Sequence, residues 1–193
     1  MRFMKKVILA STSPRRKELF EKTGIPFEIV ASSYEEDMTL NMSPKDLAMY
    51  LSRGKAEDVA NKYPNAVVIG ADTFTALGNE VFGKPHTKEK AKERLLMLSG
   101  KQHSIITGFT IIEKSANKII SKAIETKVFF RDLTEQEIDD YIETGEPLDK
   151  AGAYAIQGLG GKLIEKTEGS YDNIIGLPVD EVVQILKDEF GVE

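Results

Sequence analysis

Apolar and polar positions along the first half of the chain predict strands that alternate with helices. The pattern predicts strands over residues 6–10, 27–30 and 66–70, and helices over 15–22 and 43–62. Ser13 and Pro14 are typical of a helix start, because serine caps the first free amides and proline fits the first turn. The run over 66–70 is continuously apolar, which is typical of a strand buried on both faces.

The second half of the chain predicts a hairpin and three further helices. Strands are expected over 103–113 and 119–130, and helices over 87–98, 134–143 and 179–190. Thr134 followed by Glu137 matches a capping box at the start of one of these helices. Residues 149–161 predict a glycine-rich loop around a short apolar strand, and 172–178 predict a loop. Strand–helix units combined with a hairpin favour a mixed sheet in an α/β or α+β protein over a purely doubly wound one.

The length and composition favour one soluble domain. The chain has 193 residues, of which 41% are apolar and 30% are charged, a typical globular mix. A chain of this length buries roughly 70% of the surface that its unfolded form exposes. No repeat, low-complexity tract or linker interrupts the sequence, so we expect a single domain over residues 1–193.

Charge balance and missing residue types exclude several functions. The formal net charge is −5, which argues against binding nucleic acid through many phosphate contacts. The chain has no cysteine and only two histidines, His86 and His103, so any metal would be an oxygen-bound ion such as Mg²⁺ or Mn²⁺. No apolar stretch reaches about 18 residues, and the apolar run 7–10 is too short for a signal peptide. We therefore expect a cytoplasmic protein without a membrane partner.

The segment 11–16 (STSPRR) is the first candidate site. It combines hydroxyl groups, a helix start and two guanidinium groups, and helix N-termini and arginines both bind phosphate. A solvated, capped helix start is the alternative. Because arginines in a first helical turn oppose the helix dipole, the local sequence favours an anion site.

Asp72 is the second candidate, because it follows the buried run 66–70. Ligands bind beyond the carboxyl ends of strands in open α/β sheets. An acid at that position can hold Mg²⁺ or take a proton from water. It can also simply cap the next turn, and its position alone leaves both interpretations open.

Lys55, Lys84 and Glu36 are further candidates. Lys84 lies in the loop 83–85, which a proline stiffens and which therefore suits a positioned positive charge. Lys55 on a helix and Glu36 in an acidic turn are more typical of solvated surface residues than of a site. Glu36 becomes a metal ligand only if the chain folds it next to Asp72, since a hard cation that bridges phosphates needs two or three carboxylates.

Six short segments carry a more specific set of motifs. In chain order they are ILASTSPRRKELF (8–20), VVIGADT (67–73), GKP (83–85), LSG (98–100) with a histidine at 103, EPLDKAGAYAIQG (146–158) and GLP (176–178). Together they resemble the Maf family of nucleoside triphosphate pyrophosphatases, once described as septum-formation inhibitors. The resemblance extends over nearly the whole chain.

The resemblance implies a reaction and a fold. The reaction is hydrolysis of a nucleoside triphosphate between its α- and β-phosphates, with Mg²⁺ or Mn²⁺, to give the monophosphate and pyrophosphate. The fold is α/β, with an elongated mixed sheet, flanking helices and two lobes around a deep cleft, similar to the inosine-triphosphate pyrophosphatases. Because family members are often homodimers, the resemblance also implies a homodimer whose small-molecule partner is the nucleotide.

The resemblance also implies roles for individual residues. Asp72 matches the proton acceptor, and Glu36 and Asp72 match metal-handling positions. The phosphate-binding positions are Ser13, Arg16, Lys55 and Lys84. The positions that mark the branch acting on dTTP and UTP are Arg15, Thr73 and Gln157. Asp149 and Lys150 match a motif to which we assign no role.

Simple chemistry agrees with these implied roles. Cationic side chains and a metal can offset the charge of a triphosphate and stabilise attack on the α-phosphorus. Gln157 offers both a donor and an acceptor, as the edge of a pyrimidine requires. Two alternatives stay open: the same reaction on 7-methylguanosine triphosphate, and a non-catalytic nucleotide-binding regulator of septum formation.

Overall fold

A computed structural model describes residues 5–192. Within that range the fold is mixed α/β, as expected, with a seven-stranded mixed sheet and flanking helices. The strands are β1 (Val7–Leu9), β2 (Glu28–Ile29), β3 (Val67–Leu77), β4 (Glu80–Phe82), β5 (Gln102–Glu113), β6 (Lys118–Phe130) and β7 (Ile164–Glu168). The helices are α1 (Pro14–Glu21), α2 (Pro44–Lys62), α3 (Lys88–Leu98), α4 (Glu135–Glu143), α5 (Tyr171–Ile175) and α6 (Val179–Phe190).

The helix starts follow the caps expected from the sequence. The Ser13 hydroxyl accepts a hydrogen bond from the Arg16 amide at the start of α1, and Pro14 occupies the first turn. Thr134 and Glu137 form the predicted capping box of α4. These local contacts satisfy amides that a helix leaves unpaired, which explains why the helix bounds were visible in the sequence.

The sheet combines parallel and antiparallel pairs. Its strand order is β2-β1-β3-β5-β6-β7, and β4 pairs with β3. β1 lies parallel to β2 and β3 in a register that aligns Ile8 with Val68. β3 is antiparallel to β4, and β6 is antiparallel to β7. The parallel part contains buried, continuously apolar strands, as expected when helices cover a sheet.

Strand β3 is longer than the sequence predicted. The predicted strand ended at Gly70, with Asp72 and Thr73 beyond it, whereas the strand continues to Leu77. Its last residues pair with β4, for example Thr75 with Phe82. Asp72 therefore lies inside a strand and does not follow its end. The polar residues resemble a strand end locally, but the backbone ladder with β4 outweighs that local signal.

Two other predictions in the second half were wrong. Residues 149–161 contain short 3-10 turns and no strand, because Gly152 and Ala153 adopt positive φ values that interrupt an extended chain. The predicted loop over 172–178 begins with helix α5. β7 was not predicted, since its mostly exposed residues give no apolar alternation.

The chain divides into two compact units. The first unit comprises the described residues up to Asp72, Thr107–Ile124 and the residues from Gly176, and the second comprises Thr73–Ile106 and Glu125–Ile175. The first has a core that includes Ile8, Val59 and Val68. The second has a core that includes Leu95, Phe130 and Ile138. Within residues 5–192, no helix is both long enough and apolar enough to cross a membrane.

Candidate active site

Lys55 joins two carboxylates in the first unit. Its ammonium nitrogen lies 2.5 Å from Asp72 Oδ1 and 2.6 Å from Glu36 Oε1. The Lys55 side chain is 13% exposed and that of Asp72 only 8%, whereas that of Glu36 is 43% exposed. Glu36 therefore does fold next to Asp72, and Lys55 is not a solvated surface lysine. Removing Lys55 would leave the buried Asp72 carboxylate without this ion pair, which is costly in proteins.

A glycine on β3 lets helix α2 carry Lys55 to Asp72. A Cβ atom added at Gly70 would lie within 3 Å of the Ser52 carbonyl oxygen and the Ala56 amide nitrogen. Only glycine allows the strand and helix backbones to approach so closely. Because Lys55 lies between these two helix residues, the close packing places its ammonium beside the strand at Asp72.

The loop that carries Glu36 is held against helix α2 by two sets of contacts. The Asp58 carboxylate accepts hydrogen bonds from the Ser33 amide at 2.8 Å and from the Ser32 hydroxyl at 3.1 Å. These bonds lower the pKa of Asp58, the Ser33 amide contributing most. The Tyr34 ring lies over Gly54, where a Cβ atom would collide with it. The loop thereby delivers Glu36 to Lys55.

Arg16 lies at the start of α1 and faces the same carboxylates. Its Nε donates to the Gly176 carbonyl oxygen at 2.7 Å, and its NH1 donates to Ser11 Oγ at 3.4 Å. Burial lowers the pKa of Arg16, while the charges of Asp72 and Glu36 act in the opposite direction. Arg15 also lowers this pKa, so the two guanidinium groups are close enough to repel each other.

Six of the predicted site residues therefore belong to the first unit, on four separate segments of the chain: Ser13, Arg15, Arg16, Glu36, Lys55 and Asp72. The contacts of Lys55 and the electrostatic effects on Arg16 connect Asp72, Glu36 and both arginines. The start of α1 at Ser13 adds the positive end of the helix dipole to the positive charges beside the two carboxylates. Such an arrangement can bind a polyphosphate and remove a proton from water.

The other three predicted residues belong to the second unit. Thr73 is half-buried on β3, whereas Lys84 and Gln157 are exposed on loops. The Lys84 loop is fixed by its neighbours: the His86 amide donates to the Leu148 carbonyl oxygen at 3.1 Å, and Arg94 donates to the Gly83 carbonyl oxygen. Lys84 therefore extends from a held backbone, as the stiff loop predicted.

Asp149 and Lys150, which received no role from the sequence, form an ion pair near Lys84. The Asp149 carboxylate lies 2.5 Å from the Lys150 ammonium. Lys150 lowers the pKa of Asp149 most strongly, and Lys84 adds a smaller effect in the same direction. Three charged residues of this part of the second unit thus influence one another.

The carboxylates of Glu36 and Asp72 are the candidate ligands for a divalent ion. Among the described residues, no group of three or more histidine, aspartate and glutamate side chains could hold a metal by itself. Glu36 and Asp72 nevertheless place two carboxylate oxygens around one ammonium group. Mg²⁺ usually binds through one or two carboxylates together with substrate phosphates, so these residues fit a metal that arrives with a phosphate ligand.

Sequence reasoning missed the residues that support the site. Gly54, Tyr34 and Asp58 position the Glu36 loop, yet none of them carries a recognisable motif. Gly54 alone gave a signal, since a glycine inside a predicted helix weakens the helix and usually has a packing reason. The partners of Gly54 became visible only when the fold was known.

Comparisons with known proteins agree on one family. A family model described as "Maf-like protein" matches residues 6–189. A dTTP/UTP pyrophosphatase of Geotalea uraniireducens (strain Rf4) is 45% identical over 187 residues, covering 97% of this chain and 96% of that protein. A dTTP/UTP pyrophosphatase of Bacillus cereus (strain ATCC 10987 / NRS 248) is 46% identical over 190 residues, covering 98% of this chain and 92% of that protein.

One solved structure shares the fold at low identity. It is a HAM1 protein from Coxiella burnetii, with a TM-score of 0.54 and 11% identity, and the match covers 96% of this chain and all of that one. At this identity the likeness concerns the fold alone.

Proposed function

The chain belongs to the Maf-like protein family, and from that membership we propose that it is a nucleoside triphosphate pyrophosphatase that hydrolyses dTTP and UTP. The observation that carries the proposal is the nearly full-length similarity, at about 45% identity, to proteins named for that activity. The group of Asp72, Lys55, Glu36 and Arg16 supports it, because these side chains provide the charges that the reaction needs.

In the proposed reaction, water attacks the α-phosphorus. The bond from the water oxygen to phosphorus forms, the bond from phosphorus to the bridging oxygen breaks, and pyrophosphate leaves with that electron pair. Asp72 takes the proton from the water. Lys55, 2.5 Å from Asp72 Oδ1, holds this carboxylate in position.

Positive groups at the start of α1 bind the phosphates. Arg16 is held by its bond to the Gly176 carbonyl oxygen, so its charge is positioned before the substrate arrives. Arg15 and the positive end of the α1 dipole add to the same anion site. We assign Lys84 of the second unit to phosphate binding from the family resemblance.

A divalent ion, Mg²⁺ or Mn²⁺, would be held by Glu36, Asp72 and the substrate phosphates. It would neutralise charge that develops on the phosphoryl oxygens. Lys55 lies between the two carboxylates and keeps their mutual repulsion small.

Base selection is assigned to Arg15, Thr73 and Gln157 from the family resemblance. Gln157 is exposed on its loop, and its amide carries both a donor and an acceptor for the pyrimidine edge. A base with the wrong pattern would leave these groups unpaired, which is how a polar site rejects it.

Three broader expectations belong to the same proposal: one functional domain over residues 1–193, a homodimer and a cytoplasmic location. Light scattering coupled to gel filtration tests the dimer, since a homodimer has twice the chain mass of 21.5 kDa. A single monomeric peak across the working concentration range would refute it.

The decisive experiment measures pyrophosphate release from a panel of nucleotides with Mg²⁺ or Mn²⁺. We expect dTTP and UTP to be the best substrates, and Asp72→Asn to lower kcat by about 100- to 10,000-fold, the range of a general base. Asp188→Asn, at an exposed position on α6, is the matched control and should retain activity. Release from neither dTTP nor UTP would refute the proposal.

Two other outcomes identify the alternatives. A clear preference for 7-methylguanosine triphosphate would assign the chain to the sister branch of the family. Tight binding of nucleotides without any turnover would favour the non-catalytic regulator.

A further inference from the structure

We infer that Glu146 is a positioning residue for base selection, because its carboxylate sets the backbone of the segment 157–160 that carries Gln157. The inference rests on the proposed function, in which Gln157 contacts the base. It concerns only the second unit, to which all of its residues belong.

The Glu146 carboxylate binds two consecutive amides. Oε1 accepts a hydrogen bond from the Leu159 amide at 3.1 Å, and Oε2 accepts one from the Gly160 amide at 3.0 Å. These amides begin the 3-10 turn Leu159–Leu163, for which the residue at the cap position, Gly158, supplies no side chain. Glu146 therefore caps this turn from a distant part of the chain, with charge-assisted bonds on both of its oxygens.

Glu146 is itself held in place by a compact turn. It begins the 3-10 turn Glu146–Asp149, whose second residue is Pro147, and it follows Gly145 at a φ of 77°. Its amide donates to the Thr144 hydroxyl at 3.3 Å. Because proline fixes φ and Pro147 is buried, the carboxylate is presented from a constrained backbone.

Two glycines let the segment close tightly onto this support. A Cβ atom added at Gly158 would overlap the Glu146 carboxylate. At Gly160 it would lie 2.6 Å from the Tyr141 hydroxyl oxygen and 2.9 Å from the backbone of Ala155. The segment that follows Gln157 is thus in close contact with Glu146 and Tyr141, and it accepts no side chain on that face.

The neutral side chain of Tyr141 packs beside the Glu146 carboxylate. It is buried on α4, and burial raises its pKa, with Glu146 raising it further. Tyr141 therefore contributes packing while Glu146 contributes the hydrogen bonds that hold the turn.

The hydrogen bonds of Glu146 should affect the selection of the base and not the binding of the phosphates. Gln157 is exposed and directly precedes the capped turn, so the direction of its amide depends on the backbone that Glu146 holds. Discrimination between bases requires donors and acceptors at fixed positions. If the turn is released, we expect discrimination to fall while binding of the phosphate chain persists.

The first experiment compares Glu146→Gln and Gly158→Ala with the control Glu143→Gln. Glu143 is an exposed residue of the same unit, and its carboxylate forms an ion pair with Lys88. We expect both test variants to lower the preference for UTP over CTP by roughly tenfold, the effect of losing one to two hydrogen bonds to a charged group. The control should keep the wild-type preference. Unchanged preference in folded test variants would overturn the inference.

A double variant separates a specific contact from a general loss of structure. Gly158→Ala acts by pushing against the Glu146 carboxylate, so in Glu146→Ala the added methyl group should cost little more. The two substitutions are therefore expected to be non-additive. Fully additive losses would contradict the contact.

Binding and hydrogen exchange distinguish this inference from the proposed function. Glu146→Gln should weaken calorimetric binding of α,β-methylene-UTP by roughly tenfold and leave binding of inorganic tripolyphosphate unchanged. It should also speed amide exchange at Leu159 and Gly160 in the nucleotide-free protein. Faster exchange in Glu146→Gln than in wild type, together with no hydrolysis of any nucleotide by wild type, would refute the proposed function alone. Unchanged exchange in an active enzyme would refute the role of Glu146.

Discussion

His103 lies in the core of the second unit, where aromatic rings surround it. Its Nε2 is 2.7 Å from the Tyr154 hydroxyl, and its ring meets Phe130 edge-on at 4.8 Å between centroids. Its Nδ1 has no hydrogen-bond partner among the described residues. Burial lowers the pKa of His103 to about 4, so the ring is neutral at pH 7 and acts as a core residue.

This buried histidine predicts a pH-dependent stability. The unfolded chain binds a proton at His103 near pH 6.5, whereas the folded chain binds it only near pH 4. Stability is therefore lost as the pH falls through this window, by about 2 kcal/mol between pH 7 and pH 5. Denaturant unfolding of wild type and His103→Gln at both pH values measures the effect, because the variant should lose that part of the difference. His86→Gln, at an exposed position, should behave as wild type, and an equal loss in all three proteins would contradict the assignment.

Individual site residues were only partly predictable from local sequence. The cap at Ser13 and the stiff loop at Lys84 follow from neighbouring residues, and both were predicted. The burial of Lys55 was not predictable, because nothing nearby in the sequence shows that Glu36 and Asp72 contact it. Its role came from family resemblance, since contacts between distant segments depend on tertiary packing.

At the scale of elements, helix α2 and the Glu36 loop act together through Gly54. The Tyr34 ring occupies the space that any side chain at Gly54 would need. Burial raises the pKa of Tyr34, and a hydrogen bond with Tyr50 raises it further, so the ring is also tied to the helix at its hydroxyl. The position of Glu36 therefore depends on the absence of a side chain at Gly54, because the Tyr34 ring of the same loop packs there.

The substitution Gly54→Ala tests this dependence. Alanine normally stabilises a helix relative to glycine by about 1 kcal/mol, but here its methyl group must displace the Tyr34 ring. We expect a roughly tenfold increase in the Mg²⁺ concentration needed for half-maximal activity, as for other supports of metal ligands. Titration of activity with Mg²⁺ measures it. Tyr34→Ala combined with Gly54→Ala should show no further loss beyond Tyr34→Ala alone, and additive losses would point to a different cause.

Helices and strands were predicted correctly where caps or apolar periodicity marked them. They were missed where pairing with another strand determined the structure. Caps and apolar periodicity were sufficient for α2 and α4. β7 could not be predicted, because its residues are mostly exposed and it exists through pairing with β6. The extension of β3 beyond Gly70 was missed for the same reason, since it depends on antiparallel pairing with β4, which the local sequence does not indicate.

At the scale of the whole molecule, the residue pattern predicted the mixed sheet and the family resemblance implied an α/β fold with two lobes, but nothing in the sequence marked where the chain divides into units. Three of the four dividing positions fall inside β3, β5 and β6, and the fourth follows α5, so no linker or change of composition marks them. Asp72 and Thr73 are consecutive in one strand and yet belong to different units. The grouping of Asp72 with Arg16 inside the first unit was likewise fixed by tertiary contacts.

Binding of a triphosphate should stabilise the whole molecule, although its net charge is −5. At a concentration of α,β-methylene-dTTP about 100 times its Kd, with Mg²⁺, we expect about 2.7 kcal/mol of stabilisation and a rise in Tm of roughly 5–10 °C. Thermal unfolding with and without EDTA measures the shift and its dependence on the metal. Thymidine should give almost none of this stabilisation, because it lacks the phosphates that the cationic groups are proposed to bind.

Ionic strength separates a local cationic site from nonspecific stabilisation by the ligand. The overall charge repels a polyanion, so affinity has to come from Arg15, Arg16 and Lys55 at short range. Raising the salt concentration from about 0.1 M to about 1 M screens these interactions and should reduce the shift in Tm at a fixed ligand concentration. Arg16→Gln should reduce the shift at low salt and lose most of its salt dependence. A shift that persists unchanged in that variant would show that the triphosphate binds away from the start of α1.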